Sequence, residues 1–248
     1  MKKTLLALAL STLFAFSALA QDKRISGGIK ASLSGNWIGA LPKSTNEIVA
    51  NKDNMQLGFM GGLWFRIRTP LPWLSIQPEL TFSRQNGRYT YQFNPGGIPP
   101  TPSTQIEYSK AVSLNSLNFP ISLGIKIPLG DALGIRVNLG GNLSGILSAD
   151  QIFTQSSTNL ASGQTAIQNS SEKSISDQVN RLQLGVHGGI GIDFANRVHL
   201  DITLQQNLTN LYSGYDSGVS PSQLDPTVVD QRNQKIIGWQ ATLGVRLF

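Results

Sequence analysis

The sequence predicts an all-β fold, an eight-stranded antiparallel up-and-down transmembrane β-barrel with short periplasmic turns and long extracellular loops. Three observations predict it. A secretory leader opens the chain, eight long runs behind it alternate apolar and polar residues, and the connections between those runs are alternately short and long.

The leader sets the compartment. Lys2 and Lys3 form a positive n-region, Leu5 to Phe16 a mostly apolar core, and Ala18-Leu19-Ala20 a small-x-small cleavage site. Residues 1–20 are therefore expected to be a signal peptide and residues 21–248 an outer-membrane barrel domain of a Gram-negative cell. The chain has 0 cysteines, which excludes disulfides, thiolate metal sites, a Cys nucleophile and lipoprotein acylation. Its formal charge is +6, of which Lys2 and Lys3 supply part, and no clustered basic stretch points to nucleic acid. No later segment has the roughly 18 apolar residues a spanning helix needs. A spanning fold must then be a closed barrel, the other structure that satisfies its own backbone in lipid.

The strands read in order. A weak first one, about Ile25 to Leu33, sets Ile25, Ile29, Ala31 and Leu33 against Ser26, Lys30 and Ser32. In Gln56 to Arg68, Leu57, Phe59, Gly61, Leu63, Phe65 and Ile67 form one face, and Trp64, Arg66 and Arg68 lie on the other. A helix would mix these sets, because its faces repeat at about 3.6 residues. Leu74 to Phe82 and Leu117 to Ile127 follow, then Leu133 to Leu147, Leu182 to Phe194, Val198 to Leu208 and Ile237 to Leu247. Each reaches or approaches the roughly 9–11 residues of a tilted spanning strand.

Pro78 and Pro120 cannot donate to a ladder, so a bulge or distortion is expected near each. The apolar phase slips between Val112-Leu114 and Leu117, which predicts a bulge there. Thr69 to Trp73, Pro128 to Ala132 and Ala195 to Asn196 are short connections. Ser34 to Asn54, Arg84 to Ala111, Ser148 to Asn180 and Tyr212 to Lys235 are long, and the third is rich in Ser, Asn, Gln and Thr, expected to be solvated and mobile. An even strand number puts both ends of the chain on the periplasmic side.

Gly28-Ile29-Lys30-Ala31, Leu74 to Leu80, Leu117 to Ile121 and Gly189 to Phe194 resemble, in order, motifs of the PorT-type outer-membrane β-barrel family. The resemblance spans the mature chain. It implies a porin-like small barrel and, from the founding type, a link to protein secretion. One departure is Phe248: barrels of this kind end in an aromatic residue on the lipid-facing phase, whereas here Leu247 holds that phase. A twist or bulge at the end of the last strand is expected.

The inward phase carries the charges. Arg66, Arg68, Lys126, Arg136, Asp193, Arg197, His199, Asp201 and Arg246 fall toward the periplasmic half, with Glu79 and His187 nearer the middle. An eight-stranded barrel is just wide enough for side chains to fill it, so these residues are expected to form a salt-bridged polar plug. The alternative is a narrow anion-favouring porin for small solutes, because cations outnumber anions in the set. His199, Asp201 and Asp193 invite a His–Asp hydrogen bond, but a hydrolase also needs a nucleophile in an open cleft. No enzyme, cofactor or metal is expected.

The aromatic residues Phe59, Trp73, Phe82, Phe194 and Trp239 suit interfacial girdles. Arg84, on the apolar phase at an outer strand end, is positioned for lipid phosphates or simple snorkelling. Arg88, Tyr89, Tyr91 and Phe93 precede Pro95-Gly96-Gly97 and Pro99-Pro100-Thr101-Pro102, a candidate binding edge for an envelope protein or glycan. The expected partners are outer-membrane lipid and lipopolysaccharide, the barrel-assembly machinery during insertion, and an envelope protein. A soluble lipocalin-like barrel would invert the pattern, with apolar residues inside.

Overall fold

The computed structural model describes residues 24–38, 48–71, 73–93, 104–130, 132–159, 162–195, 197–211 and 235–248. The expected signal peptide and residues 212–234 of the last long connection lie outside them. Among the described residues nine strands form: β1 Ile25–Ile38, β2 Ile48–Arg68, β3 Leu74–Phe93, β4 Thr104–Leu129, β5 Leu133–Asn159, β6 Thr165–Ser174, β7 Leu182–Phe194, β8 Val198–Asn207 and β9 Ile236–Arg246. Eight of them close into a ring, since β4 pairs with β5 and β9 with β1, while β6 hangs on the outer half of β5. All pairings are antiparallel, as neighbours joined in sequence order dictate.

The two faces are sorted as the alternation requires. Outward-pointing Leu139, Leu204, Ile190 and Ile202 are 60–69% exposed, whereas inward-pointing Arg136, Asp193 and Gln183 are at most 3% exposed. Apolar outside and polar inside is the arrangement of a barrel in lipid and the reverse of a soluble binder. Trp73 and Phe194 mark one end of the apolar belt; near the other, Trp239 Nε1 donates to Met55 Sδ at 3.1 Å. Arg84 is exposed opposite Phe59, on the lipid-facing phase as expected.

The turns also follow the sequence. The β4–β5 turn carries Gly130 at φ 81, and the β7–β8 turn carries Ala195 at φ 46, the positive φ that tight hairpins demand. The end bearing these short turns is the periplasmic one for this architecture. Beyond Arg246 the ladder is irregular, for Leu247 N and Phe248 N both donate to Gly27 O. The mismatched phase of Phe248 predicts this irregularity.

Three expectations need correction, the first two only in part. The ladders keep register past Pro78 and Pro120, so neither proline makes a bulge. The expected distortion is present, however: pairing lapses at Phe65 and Arg66 opposite Pro78 and Gln77, and at Glu79 and Leu80 opposite Pro120 and Phe119. Each proline removes one donor without inserting a residue, so no bulge is required. The register shift near Val112-Leu114 does occur, between Asn115 and Ser116, but the extra residue is Leu147 on β5. β4 keeps its alternation, so Val112 and Leu114 point inward and are 1% exposed. The phase slip in the sequence records a change in the lumen's chemistry instead. Finally, much of the long connections is strand. β3 runs to Phe93, β4 starts at Thr104, and Ser148 to Asn180 contains the β5–β6 hairpin. Thr, Ile and Phe residues among the polar ones suit a ladder, and Asn159 N–Gln164 O at 2.9 Å closes the turn.

Candidate functional site

The lumen is built from three layers. The periplasmic layer holds Asp193 of β7, whose Oδ1 accepts Arg136 Nη1 of β5 at 2.5 Å. Arg66 Nη1 and Lys126 Nζ each stand 3.4 Å from Asp193 Oδ2. Arg66 belongs to β2, four strands round the ring from β7, so this contact crosses the full width of the barrel. Arg136 Nη2 donates to Asp201 Oδ1 of β8 at 2.5 Å. The Cβ of any larger residue at Gly191 would meet that Asp201 carboxylate, so glycine makes its approach possible. Such closely held cations and carboxylates answer the cost of removing charge from water.

Trp64 and His199 complete this layer. Their rings meet edge to face at 4.9 Å, and the Arg66 guanidinium lies 5.1 Å from the Trp64 ring centroid. The His–Asp hydrogen bond suggested by the sequence does not form. His199 Nε2 stands 3.6 Å from Asp201 Oδ2, beyond hydrogen-bond range, and has no hydrogen-bond partner. Arg68 and Arg197 are exposed at the periplasmic mouth, and Arg246 Nε donates to Phe248 O at 2.7 Å.

The middle layer is Lys30, Glu79 and His187. Lys30 Nζ and Glu79 form a short ion pair with both side chains buried, and Gln77 Nε2 donates to Glu79 Oε1 at 2.7 Å. His187 Nε2 is 2.7 Å from Ser122 Oγ. Lys30 is the partner that the sequence pattern does not single out, although it lies on the same inward phase of β1. Two cavities among the described residues, of about 40 and 50 Å³, remain in these layers, enough for a few waters each.

The outer layer is apolar. Val112, Leu114, Ile146, Ala149, Ile175, Val179, Leu211 and Ile236 form one buried cluster under the extracellular end. Ile175 and Val179 come from the segment joining β6 to β7, and Leu211 follows β8, so chain beyond the membrane folds in to close the mouth. Above it, Lys110 is buried, and desolvation holds its ammonium down to about 8.

Outside the membrane belt the strands continue as a sheet. The outer parts of β2, β3, β4 and β5 pair in succession, and β6 adds the last strand. β4 alone is 26 residues, roughly 80 Å along its length at about 3.3 Å per residue. Arg88, Tyr89, Tyr91 and Phe93 lie on this β3 extension rather than in a loop, with Arg88 exposed. The prolines after them are outside the described residues. Among the described residues, nothing pairs with the far edge of β6, where Ile167 is 72% exposed.

Such a barrel has relatives. The outer membrane protein beta-barrel domain family matches residues 19–213. The chain belongs to that family. This family member is accordingly an outer-membrane protein. Similar solved structures include Ail, the attachment invasion locus protein of Yersinia pestis, at 10% identity and TM-score 0.34, covering 90% of this chain and 98% of that one. Neisserial surface protein A is 12% identical at TM-score 0.39, covering 89% and 97%. A part of the RagAB peptide transporter is 9% identical at TM-score 0.31, covering 75% of this chain and 26% of that one. No curated protein matches the chain.

Proposed function

We propose that this outer-membrane barrel is a non-enzymatic interaction protein, in which the lumen is a structural plug and the external sheet is the working surface. The observation that carries the reading is the outer edge of β6, with which no described strand pairs, held far outside the membrane belt by the long β4–β5 ladder. A strand edge presents unpaired N–H and C=O groups, and an extended segment of another protein can add to it as a further strand. The polar β6 sequence, with Glu172 and Lys173, keeps that edge soluble while leaving the backbone available. The salt-bridged inner layers and the apolar outer cluster favour this role over a narrow anion porin. The motif resemblance to PorT-type barrels supports a secretion-linked protein of the envelope as the first partner to test. Arg84 at the outer belt adds a contact for lipopolysaccharide phosphates.

The test is photo-crosslinking in intact cells from single sites on β6, with Leu204 on the lipid face as control. Strand addition predicts protein adducts whose yield alternates with a period of two across residues 165, 166, 167 and 169, and loss of them with Ile167→Lys. Adducts no more frequent than at Leu204 would refute the reading.

A further inference from the structure

The periplasmic mouth has a chemistry that the plug does not need. Arg66, Arg68, Lys126, Arg136, Arg197 and Arg246 all line one cavity of about 40 Å³ that opens at that end, and Asp193 is the carboxylate lining it. Asp201, which Arg136 also holds, is a second side-chain carboxylate of the layer, and Arg246 Nε donates to Phe248 O at the chain end. Arg66, Lys126 and Arg136 already hold these two side-chain carboxylates. Among the described residues no carboxylate lies in ion-pair range of Arg68 or Arg197.

Two of the donors on residues lining this cavity are buried and unmatched. Arg136 is 1% exposed and its Nε has no hydrogen-bond partner, and neither does the buried Nη2 of Arg66. Leaving a buried guanidinium N–H unmatched is costly, the more so for a charged group, so such donors normally serve something. A volume near 40 Å³ holds about three waters, which is the scale of one tetrahedral oxyanion and too small for a chain. Planar guanidinium forks around such a volume suit phosphate better than ammonium groups would.

We infer that the periplasmic mouth of this barrel is a binding site for a phosphate group, seated between the rim residues Arg68 and Arg197 and the floor residues Arg66 and Arg136. The group can come from soluble phosphate or from the headgroup of an inner-leaflet phospholipid, since both present the same oxygens. The site is on the opposite end from β6, so it stands or falls independently of the interaction reading.

The chain has 4 tryptophans, which serve as reporters: Trp64 and Trp73 line the cavity, while Trp37 and Trp239 lie at the outer end. The whole barrel is refolded in dodecyl maltoside, a detergent that carries no phosphate, and indole resonances are followed while sodium phosphate replaces chloride at constant ionic strength. A second preparation contains phosphatidylglycerol and no added phosphate. A saturable shift of Trp64 and Trp73 alone in the first arm supports the site with soluble phosphate as ligand. The same shift in the second arm supports it with the lipid headgroup as ligand. The rim substitutions Arg68→Gln and Arg197→Gln, both at exposed positions, are expected to weaken the response about tenfold. If Trp64 and Trp73 move no more than Trp37 and Trp239 in both arms, or if the rim variants titrate like the native protein, the inference is wrong.

Discussion

Replacing Glu79 by Gln should expose what the polar lumen contributes to stability. Lys30 and Glu79 have side chains only 8% and 6% exposed, and Glu79 is the carboxylate in ion-pair range of Lys30. Glu79→Gln therefore leaves an ammonium in the interior with a neutral amide, a change that costs about 3–5 kcal/mol in buried pairs. With a urea slope of about 2 kcal/mol/M, the unfolding midpoint should fall by roughly 2 M. Lys30→Met alone should cost less, because the remaining carboxylate keeps the Gln77 amide, at 2.7 Å, and can bind a proton. The double variant Lys30→Met with Glu79→Gln should regain most of the loss, since it removes both the charge and its need for a partner. The assay is urea unfolding in lipid vesicles followed by Trp fluorescence, with heat-modifiable gel migration confirming that each variant closes. A midpoint shift below about 0.5 M for Glu79→Gln, or a double variant as damaged as the sum of the singles, would refute the reasoning.

Three further outcomes follow from the same geometry. Gly191→Ala drives a Cβ into the Asp201 carboxylate and should cost about 1–3 kcal/mol, whereas Gly61→Ala, with nothing nearer than Lys30 O at 3.8 Å, should stay within about 0.5 kcal/mol; the same vesicle titration compares them. Ile202→Arg, on the lipid face where the side chain is 60% exposed, should cost about 2–4 kcal/mol in vesicles near mid-membrane and far less in short-chain detergent, which equilibrium unfolding in the two media checks. Lys110, outside the membrane belt, loses its proton near pH 8 when folded but near 10.5 in the unfolded chain. Between those values the unfolded chain holds the extra proton, so stability should rise with pH by about 3 kcal/mol, and Lys110→Met should remove that rise when the two are unfolded in urea at pH 7.5, 9 and 10.5.

The sequence is most readable where one physical rule dominates. Strict alternation over Leu57 to Ile67 and Leu117 to Ile127 leaves a single way to face lipid, and the outward Leu, Ile and Phe residues follow it. The inward charges are equally legible as a set, because the same alternation puts Arg66, Arg136, Asp193 and Asp201 on the lumen phase. Their pairings are not. Arg66 meets Asp193 across the whole barrel, a relation fixed by ring closure and register rather than by any local pattern. Lys30 does not stand out in the sequence because its partner Glu79 lies two strands away.

The outer end misleads for a different reason. Above the membrane the rule that apolar residues face lipid lapses, so Val112 and Leu114 turn inward to pack with Ile146, Ile175 and Leu211. Along β4 the change reads as a slipped phase, although the strand itself runs on unbroken to Thr104. The β5–β6 hairpin is hidden by its composition, since Ser, Thr, Asn and Gln are common to solvated loops and to two-faced external sheets.

The central claim is that the lumen is filled, charged below and apolar above, and that the outer sheet carries the role. Single-channel conductance of the refolded barrel in a planar bilayer tests it most directly. The account predicts a closed, heat-modifiable barrel with no steady conductance steps. Stable anion-selective steps that change with Arg136→Ala or Arg66→Ala would contradict it and make the lumen a pore.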